Sequence, residues 1–217
     1  MIITESVVQR LTSAGTGSLS NELWRLGVGE TTLCGLRSVT TDRPFAGPAL
    51  TLRYLPYRGD LGQSPNGPLQ REVVDDAPAG AVLVVDARGS TACSVMGDLV
   101  AQRARHRGLA GVVVDGAVRD VTAIRGIDLP VQARGSSPNP NRGHLVPWEV
   151  GGTVACADVL VNPEDVVVGD SDGVVVIPRA VVAEVLARVE RSEAREAGVR
   201  AELSRGATLQ AAYQDHS

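Results

Sequence analysis

Three apolar runs confine this chain to a narrow set of folds. "AVLVV" (81–85), "AGVVVDG" (110–116) and "LPVQARG" (129–135) are strand-sized, rich in β-branched residues and not alternating with polar ones. A strand that is apolar on both faces must be covered on both faces, which is the situation of a parallel sheet. Between the runs lie segments with helical spacing. "SVMGDLVAQRARHRG" is expected to be a helix with Met96, Leu99, Val100 and Ala104 inward, stopped by Gly108. "VRDVTAIRGID" reads as a shorter helix, and "REVVDDAPAG" as another that ends at the turn Pro78–Gly80. The first strand is expected over 81–86. Strand–helix–strand–helix–strand is the pattern of a parallel α/β layer.

The flanks have a different texture. Residues 4–27 read as two helical pieces, the second capped by Ser18 or Ser20 and closed by Gly27. Residues 33–57 are β-rich but broken by Pro and Gly, and 58–70 form a polar Gly/Pro loop. After the polar segment "SSPNPNRGHLVP", residues 148–178 carry short strands with turns at Gly151–Gly152, Asn162–Pro163 and Asp172–Gly173. That spacing suggests an antiparallel or barrel-like β layer. "GDSDG" (169–173) could be a metal loop, but a tight hairpin needs the same residues and is preferred. A long helix over 179–205 follows Pro178, with Val182, Val185, Leu186 and Val189 on one face and a highly charged second half. The extension 179–214 is expected to pack on another subunit, with a solvated tail as the alternative.

Composition removes whole classes of chemistry. The chain has 217 residues, room for one sizeable core, and all 21 of its basic residues are arginine. Without a lysine there is no Schiff-base aldolase, no pyridoxal chemistry and no Walker-type phosphate loop. The net charge of -4 leaves no electrostatic footprint for nucleic acid or an anionic membrane. No apolar run approaches membrane-span length, and the N-terminus lacks the pattern of a signal peptide, so the expected location is the cytoplasm. Cys34, Cys93 and Cys156 form no C-x-x-C pair and are expected to be buried free thiols.

The chemistry concentrates between Gly97 and Asp120. "GDLV" opens a helix, whose first amides are unpaired and attract carboxylates, and Gly97 lets a ligand approach the backbone. Ligands of parallel sheets gather beyond the carboxyl ends of the strands. The strand ending at Asp115–Gly116 places Arg119 and Asp120 on that same edge. Arg119 can hold a carboxylate or a developing enolate oxygen through two hydrogen bonds. Asp120 offers a hard oxygen to Mg²⁺ or Mn²⁺, and Asp98 could act on such an ion through a water. From spacing alone, an Arg–Asp pair that merely caps a loop is the plainer reading. His106 is read as a helix-end group, while His144, in the polar loop, could line the entrance to the cleft. The run Arg103, Arg105 and Arg107 is read as a solvated face, or as one paired with a neighbour's acids.

The run "GDLVAQRARHRGLAGVVVDGAVRD", with "LPVQARG", "AGPALTLRY", "SLSNELWRLG" and "VVVGDSDGVVVIP", resembles the RraA-like family over most of the chain. That family includes divalent-metal pyruvate aldolases acting on 4-hydroxy-4-methyl-2-oxoglutarate and the regulator of ribonuclease E activity. The resemblance implies a swivelling β/β/α domain, assembled as a homotrimer or homohexamer. It implies that the backbone of Gly97, Asp98, Leu99 and Val100 binds the substrate carboxylate. Arg119 would contact the ketone or enolate oxygen, Asp120 would bind the metal and Asp98 would act through water. Glu193 or Glu196 of a neighbouring subunit would complete the metal's surroundings. The expected activity is therefore cleavage of a 4-hydroxy-2-oxo acid to pyruvate, with oxaloacetate decarboxylation through the same enolate. The alternatives are a non-catalytic inhibitor of ribonuclease E and an enzyme using the same site on another 2-oxo acid.

Overall fold

The central strands do line up as a parallel layer. In the computed structural model, which describes residues 3–61 and 69–214, β1 (Arg37–Ser38), β2 (Phe45–Pro56), β3 (Val82–Met96), β4 (Gly111–Val118) and β5 (Val131–Ser136) lie in one sheet. β2, β3, β4 and β5 run parallel in the order β5-β4-β3-β2, and β1 borders β5 antiparallel. The connections carry α2 (Leu69–Asp75), α3 (Asp98–His106) and α4 (Val121–Arg125). Residues 62–68, most of the expected 58–70 loop, lie outside the described residues; Gly59–Leu61 is a short 3-10 turn.

The later strands fold back on β2, as their antiparallel texture suggested. β6 (Leu145–Val150) pairs with the second half of β2, whereas β9 (Val166–Gly169) pairs with its first half. β10 (Val174–Ile177) closes a hairpin on β9. β7 (Val154–Cys156) and β8 (Val159–Val161) form a separate two-stranded hairpin. One long strand shared between two partners makes the sheet curl. The α/β architecture with a long C-terminal helix is thus as expected from the sequence, with that helix, α5, spanning Val182–Ser204 after a 3-10 turn at Arg179–Val181.

Several local expectations need correction. β3 does not stop at residue 86 but continues to Met96 through three register shifts against β4. Bulges let polar residues such as Arg88 and Ser90 protrude without ending the strand. Met96 is consequently a strand residue. The helix begins two residues later, which turns Leu99 outward, 75% exposed, rather than into the core. The N-terminal segment α1 (Glu5–Arg25) is two helical pieces, as expected, separated at Gly15, where φ is +73° and ψ is +155°. Neither Ser18 nor Ser20 caps the second piece. The backbone amide and hydroxyl of Thr16 donate instead to the Asp170 carboxylate, each at 2.7 Å. Asp170 also accepts from the Asp172 amide, so "GDSDG" is a hairpin turn that caps a helix. Gly27 closes α1 in the left-handed conformation as anticipated, with Val28 donating to Leu23 and Gly27 to Trp24. Cys93 and Cys156 are buried, but Cys34 is exposed.

Burial follows the pleat. Leu83, Val85 and Ala87 of β3 face α2, α3 and α4, while Val82 and Val84 face the β7–β8 hairpin. A third cluster packs Leu11, Leu19 and Leu23 of α1 with Val182, Val185, Leu186 and Val189 of α5 over β9 and β10. The charged half of α5 is not bare. α6 (Leu209–Gln214) folds back on it, and Val199 and Ala212 are both buried. The arginines of α3 find partners within the chain: Arg103 with Asp75, Arg105 with Asp128, and Arg107 with the Ala77 carbonyl. Among the described residues, no helix is long and apolar enough to cross a membrane.

The only phenylalanine is wedged between strands. Phe45 pairs in register with Gly169, and its ring also covers Gly111, where a β-carbon would come within 2.6 Å of Cδ2. A methyl group at position 169 would overlap the ring, which has no room to retreat toward Gly111. Gly169→Ala should therefore cost about 1–3 kcal/mol, the range for overpacking a filled core. Urea denaturation checks this; an unchanged midpoint would mean that the ring moves freely.

Asp86 and Asp115 are register partners on β3 and β4, both buried on the hairpin side. Asp115 pairs with Arg134 and accepts the Ala157 amide at 2.9 Å, tying the β7–β8 hairpin to the sheet. Asp86 accepts from the Arg88 amide at 2.9 Å. Burial pushes the Asp86 carboxyl above its ordinary range; the Arg88 amide opposes the shift, and the Asp115 charge adds to it. The folded protein therefore holds a proton on Asp86 at pH values where the unfolded chain has lost it. Stability from this group is present below the ordinary carboxylate range and falls as pH rises through the raised value. Asp86→Asn, which cannot ionise, should gain stability relative to wild type as pH rises from about 4. Melting temperatures measured across pH check this, and a constant difference would contradict it.

Candidate active site

The site is built where β3 and β4 end side by side. Met96 pairs with Val118, and the Arg119 amide donates to the Met96 carbonyl at 2.9 Å. The chain then turns sharply. Asp120 takes the left-handed conformation (φ +56°, ψ +36°), uncommon outside glycine but tolerated best by Asp and Asn. Its carbonyl starts α4 by accepting from Ile124 at 2.9 Å.

That turn lays the two side chains over Gly97. A β-carbon at Gly97 would sit 2.6 Å from Asp120 Oδ2 and 3.2 Å from Arg119 Nε. Gly97 is thus required by a close approach, since its φ of -127° suits any residue. Arg119 Nε and Asp120 Oδ2 are 3.4 Å apart, and both side chains are about half exposed. The pair does not bury itself as a structural bridge would, and a ligand can reach it.

Gly97 is also the N-cap of α3 and has no side chain to cap it. The first ladder bond joins the Ala101 amide to the Gly97 carbonyl at 3.1 Å, leaving the earlier amides of the turn for a ligand. Asp98 is partly exposed, and no hydrogen bond or ion pair engages its carboxylate among the described residues. Gly97, Asp98, Leu99, Val100 and Arg119 all line a cavity of about 850 Å³. Arg119 and Asp120 together border a smaller cavity of about 330 Å³ beside Ser136 and Ser137. Arg119 therefore stands between the two.

Most of the residues singled out in the sequence converge here. Asp98 and Asp120 are hard oxygen donors, the type that Mg²⁺ prefers, and Mg²⁺ needs only one or two carboxylates because it keeps its waters. Among the described residues no three metal-ligating side chains cluster, so this chain could offer an ion carboxylates and waters rather than a closed cage. Glu193 and Glu196 are not brought to the cavity of their own chain. They lie on α5, which packs on α1 and α6, and Glu196 pairs with Arg200 at 2.7 Å. His106 is exposed at the end of α3; His144 is exposed and does not line the cavity, although Pro140, Asn141 and Arg142 do. The cavity also receives Gln70 and Arg71 from α2. Sequence reading missed Arg71 and Arg142, because neither sits in a motif or at a recognisable spacing from Gly97.

Comparison with known proteins places these features in context. Residues 16–176 match the RraA-like family, described as Aldolase/RraA. Protein DlpA of Legionella pneumophila is 28% identical over 97% of this chain, which covers 34% of DlpA. A Halalkalibacterium halodurans protein named "Putative 4-hydroxy-4-methyl-2-oxoglutarate aldolase" is 34% identical over 55% of this chain and 56% of its own length. The chain therefore spans between about a third and somewhat over half of these two curated relatives. Among solved structures, Streptomyces coelicolor RraAS2, described as an unusual member of the RNase ES inhibitor RraA protein family, superimposes with a TM-score of 0.80. It is 30% identical, covering 93% of this chain and 96% of RraAS2.

Proposed function

Because the chain belongs to the RraA-like family, we propose that it is a divalent-metal-dependent carbon–carbon lyase. It cleaves a 4-hydroxy-2-oxo acid, such as 4-hydroxy-4-methyl-2-oxoglutarate, to pyruvate through an enolate. Oxaloacetate decarboxylation passes through the same enolate and is a second activity of the site. The observation that carries this reading is the seating of Arg119 and Asp120 against Gly97 at the open start of α3.

A 2-oxo acid presents a carboxylate and a ketone oxygen on adjacent carbons. The uncapped amides of residues 97–100 orient the carboxylate. Arg119 donates to the ketone oxygen, where negative charge grows as the carbon–carbon bond breaks. Asp120 would hold the cation directly and Asp98 would hold it through a water. A divalent cation bound there would supply Lewis-acid charge to the reacting 2-oxo acid. With no lysine in the chain and His144 outside the cavity, the base for the substrate hydroxyl is a water held by Asp98. Glu193 or Glu196 of a partner subunit would complete the cation's surroundings in a trimer or hexamer.

The likeness to RraAS2 over nearly the whole chain supports a second reading, an inhibitor of a ribonuclease E-type enzyme. A coupled assay separates the two. The protein is incubated with Mg²⁺ and either 4-hydroxy-4-methyl-2-oxoglutarate or oxaloacetate, and pyruvate is followed with lactate dehydrogenase. Release that EDTA abolishes is expected. No release from either substrate, together with inhibition of purified ribonuclease E, would replace the lyase with the inhibitor.

A further inference from the structure

We infer that Arg71 and Arg142 form a clamp for a second carboxylate, distant from the reacting ketone, and so determine which 2-oxo acids the site accepts. The inference rests on the reading of Gly97–Asp120 as a 2-oxo acid site. Four arginines line the 850 Å³ cavity: Arg71, Arg103, Arg119 and Arg142. Two of them are engaged within the chain, Arg103 by Asp75 at 2.6 Å and Arg119 by Asp120 at 3.4 Å. Arg71, from α2, and Arg142, from the segment between β5 and β6, have no hydrogen-bond or ion-pair partner for their guanidinium groups among the described residues. Two elements remote in sequence thus bring unneutralised guanidinium groups to one cavity.

The volume points the same way. About 850 Å³ lies within the range that accepts a drug-sized ligand, several times what a pyruvate unit fills. A substrate whose 2-oxo acid end rests on the α3 amides and Arg119 leaves the remaining space to its other end. Guanidinium groups recognise planar carboxylates through paired hydrogen bonds. The cavity's unpaired acid, Asp98, lies beside Gly97 at the metal-binding end and is committed there by the proposed chemistry. The charge left over elsewhere in the cavity is positive.

The test is calorimetric binding to the full chain with Mg²⁺, using three probes. Oxalate carries the paired oxygens of the reacting end and nothing beyond. 2-Oxopentanoate and 2-oxoglutarate share a chain length, and only the second ends in a carboxylate. Wild type should bind 2-oxoglutarate at least about ten-fold more tightly than 2-oxopentanoate, the lower end of what a charge-assisted hydrogen bond supplies. Arg71→Gln and Arg142→Gln should each remove about ten-fold of 2-oxoglutarate affinity and leave oxalate within about two-fold. Both side chains are exposed, so the variants should fold. If oxalate binds while 2-oxoglutarate gains nothing over 2-oxopentanoate, or if the variants weaken oxalate equally, the clamp is wrong and the reacting end stands. If oxalate does not bind, the 2-oxo acid site fails, and the clamp with it.

Discussion

Arg119→Ala should lower the rate of pyruvate release by about 10²–10³-fold, the loss typical of removing one preorganised donor to a developing oxyanion. The guanidinium is half exposed and, among the described residues, makes only the 3.4 Å ion pair with Asp120, so its removal leaves no buried charge behind. The residue's structural duty is carried by its backbone amide, which donates to Met96 and survives truncation. The melting temperature should therefore hold while activity falls. Because the negative charge exists only as the bond breaks, the loss should fall on kcat more than on KM. Arg119→Lys should recover part of the rate, since lysine keeps the charge but not the fork of donors. A variant that loses stability in step with activity would instead mark Arg119 as a structural residue.

Gly97→Ala is the second large effect, and it separates site from fold more sharply. The added methyl would arrive 2.6 Å from Asp120 Oδ2 and 3.2 Å from Arg119 Nε, so the Asp120 carboxylate must leave its place and Arg119 must give by a few tenths of an ångström. Both can move into solvent, being half exposed, and the Gly97 backbone is one that alanine adopts without strain. Folding should be nearly unaffected. Divalent-metal affinity should fall by about 10–100-fold, the range seen when residues that orient a metal ligand are changed. Titration with Mn²⁺, read by its paramagnetic effect on water relaxation, measures this without any substrate. Unchanged Mn²⁺ affinity would remove Asp120 from the metal site.

The parallel layer was legible because "AVLVV" and "AGVVVDG" have no polar face to give to solvent, and both became central strands. The length of β3 was not legible. Its second half lies beyond the strand expected over 81–86, since bulges allow a strand to carry polar residues, here "RGST", that no alternation rule anticipates. That misreading shifted the start of α3 and placed Leu99 in a core it does not join. The Gly97–Arg119–Asp120 cluster was legible as a spacing, but two of its causes were not. The left-handed turn at Asp120 and the absence of a side chain at Gly97 work together only once β3 and β4 are in register. Arg71 and Arg142 were invisible for a similar reason: a cavity assembled from distant segments leaves no motif.

Enolate formation at Arg119 and Asp120 can be observed without knowing the natural substrate. Pyruvate is incubated with the protein and Mg²⁺ in D₂O, and loss of its methyl proton signal is followed by NMR. The expected result is exchange well above the uncatalysed rate in wild type, abolished by EDTA and strongly reduced in Arg119→Ala and Asp120→Asn. Exchange no faster than in buffer, or exchange that both variants preserve, would contradict the proposed chemistry.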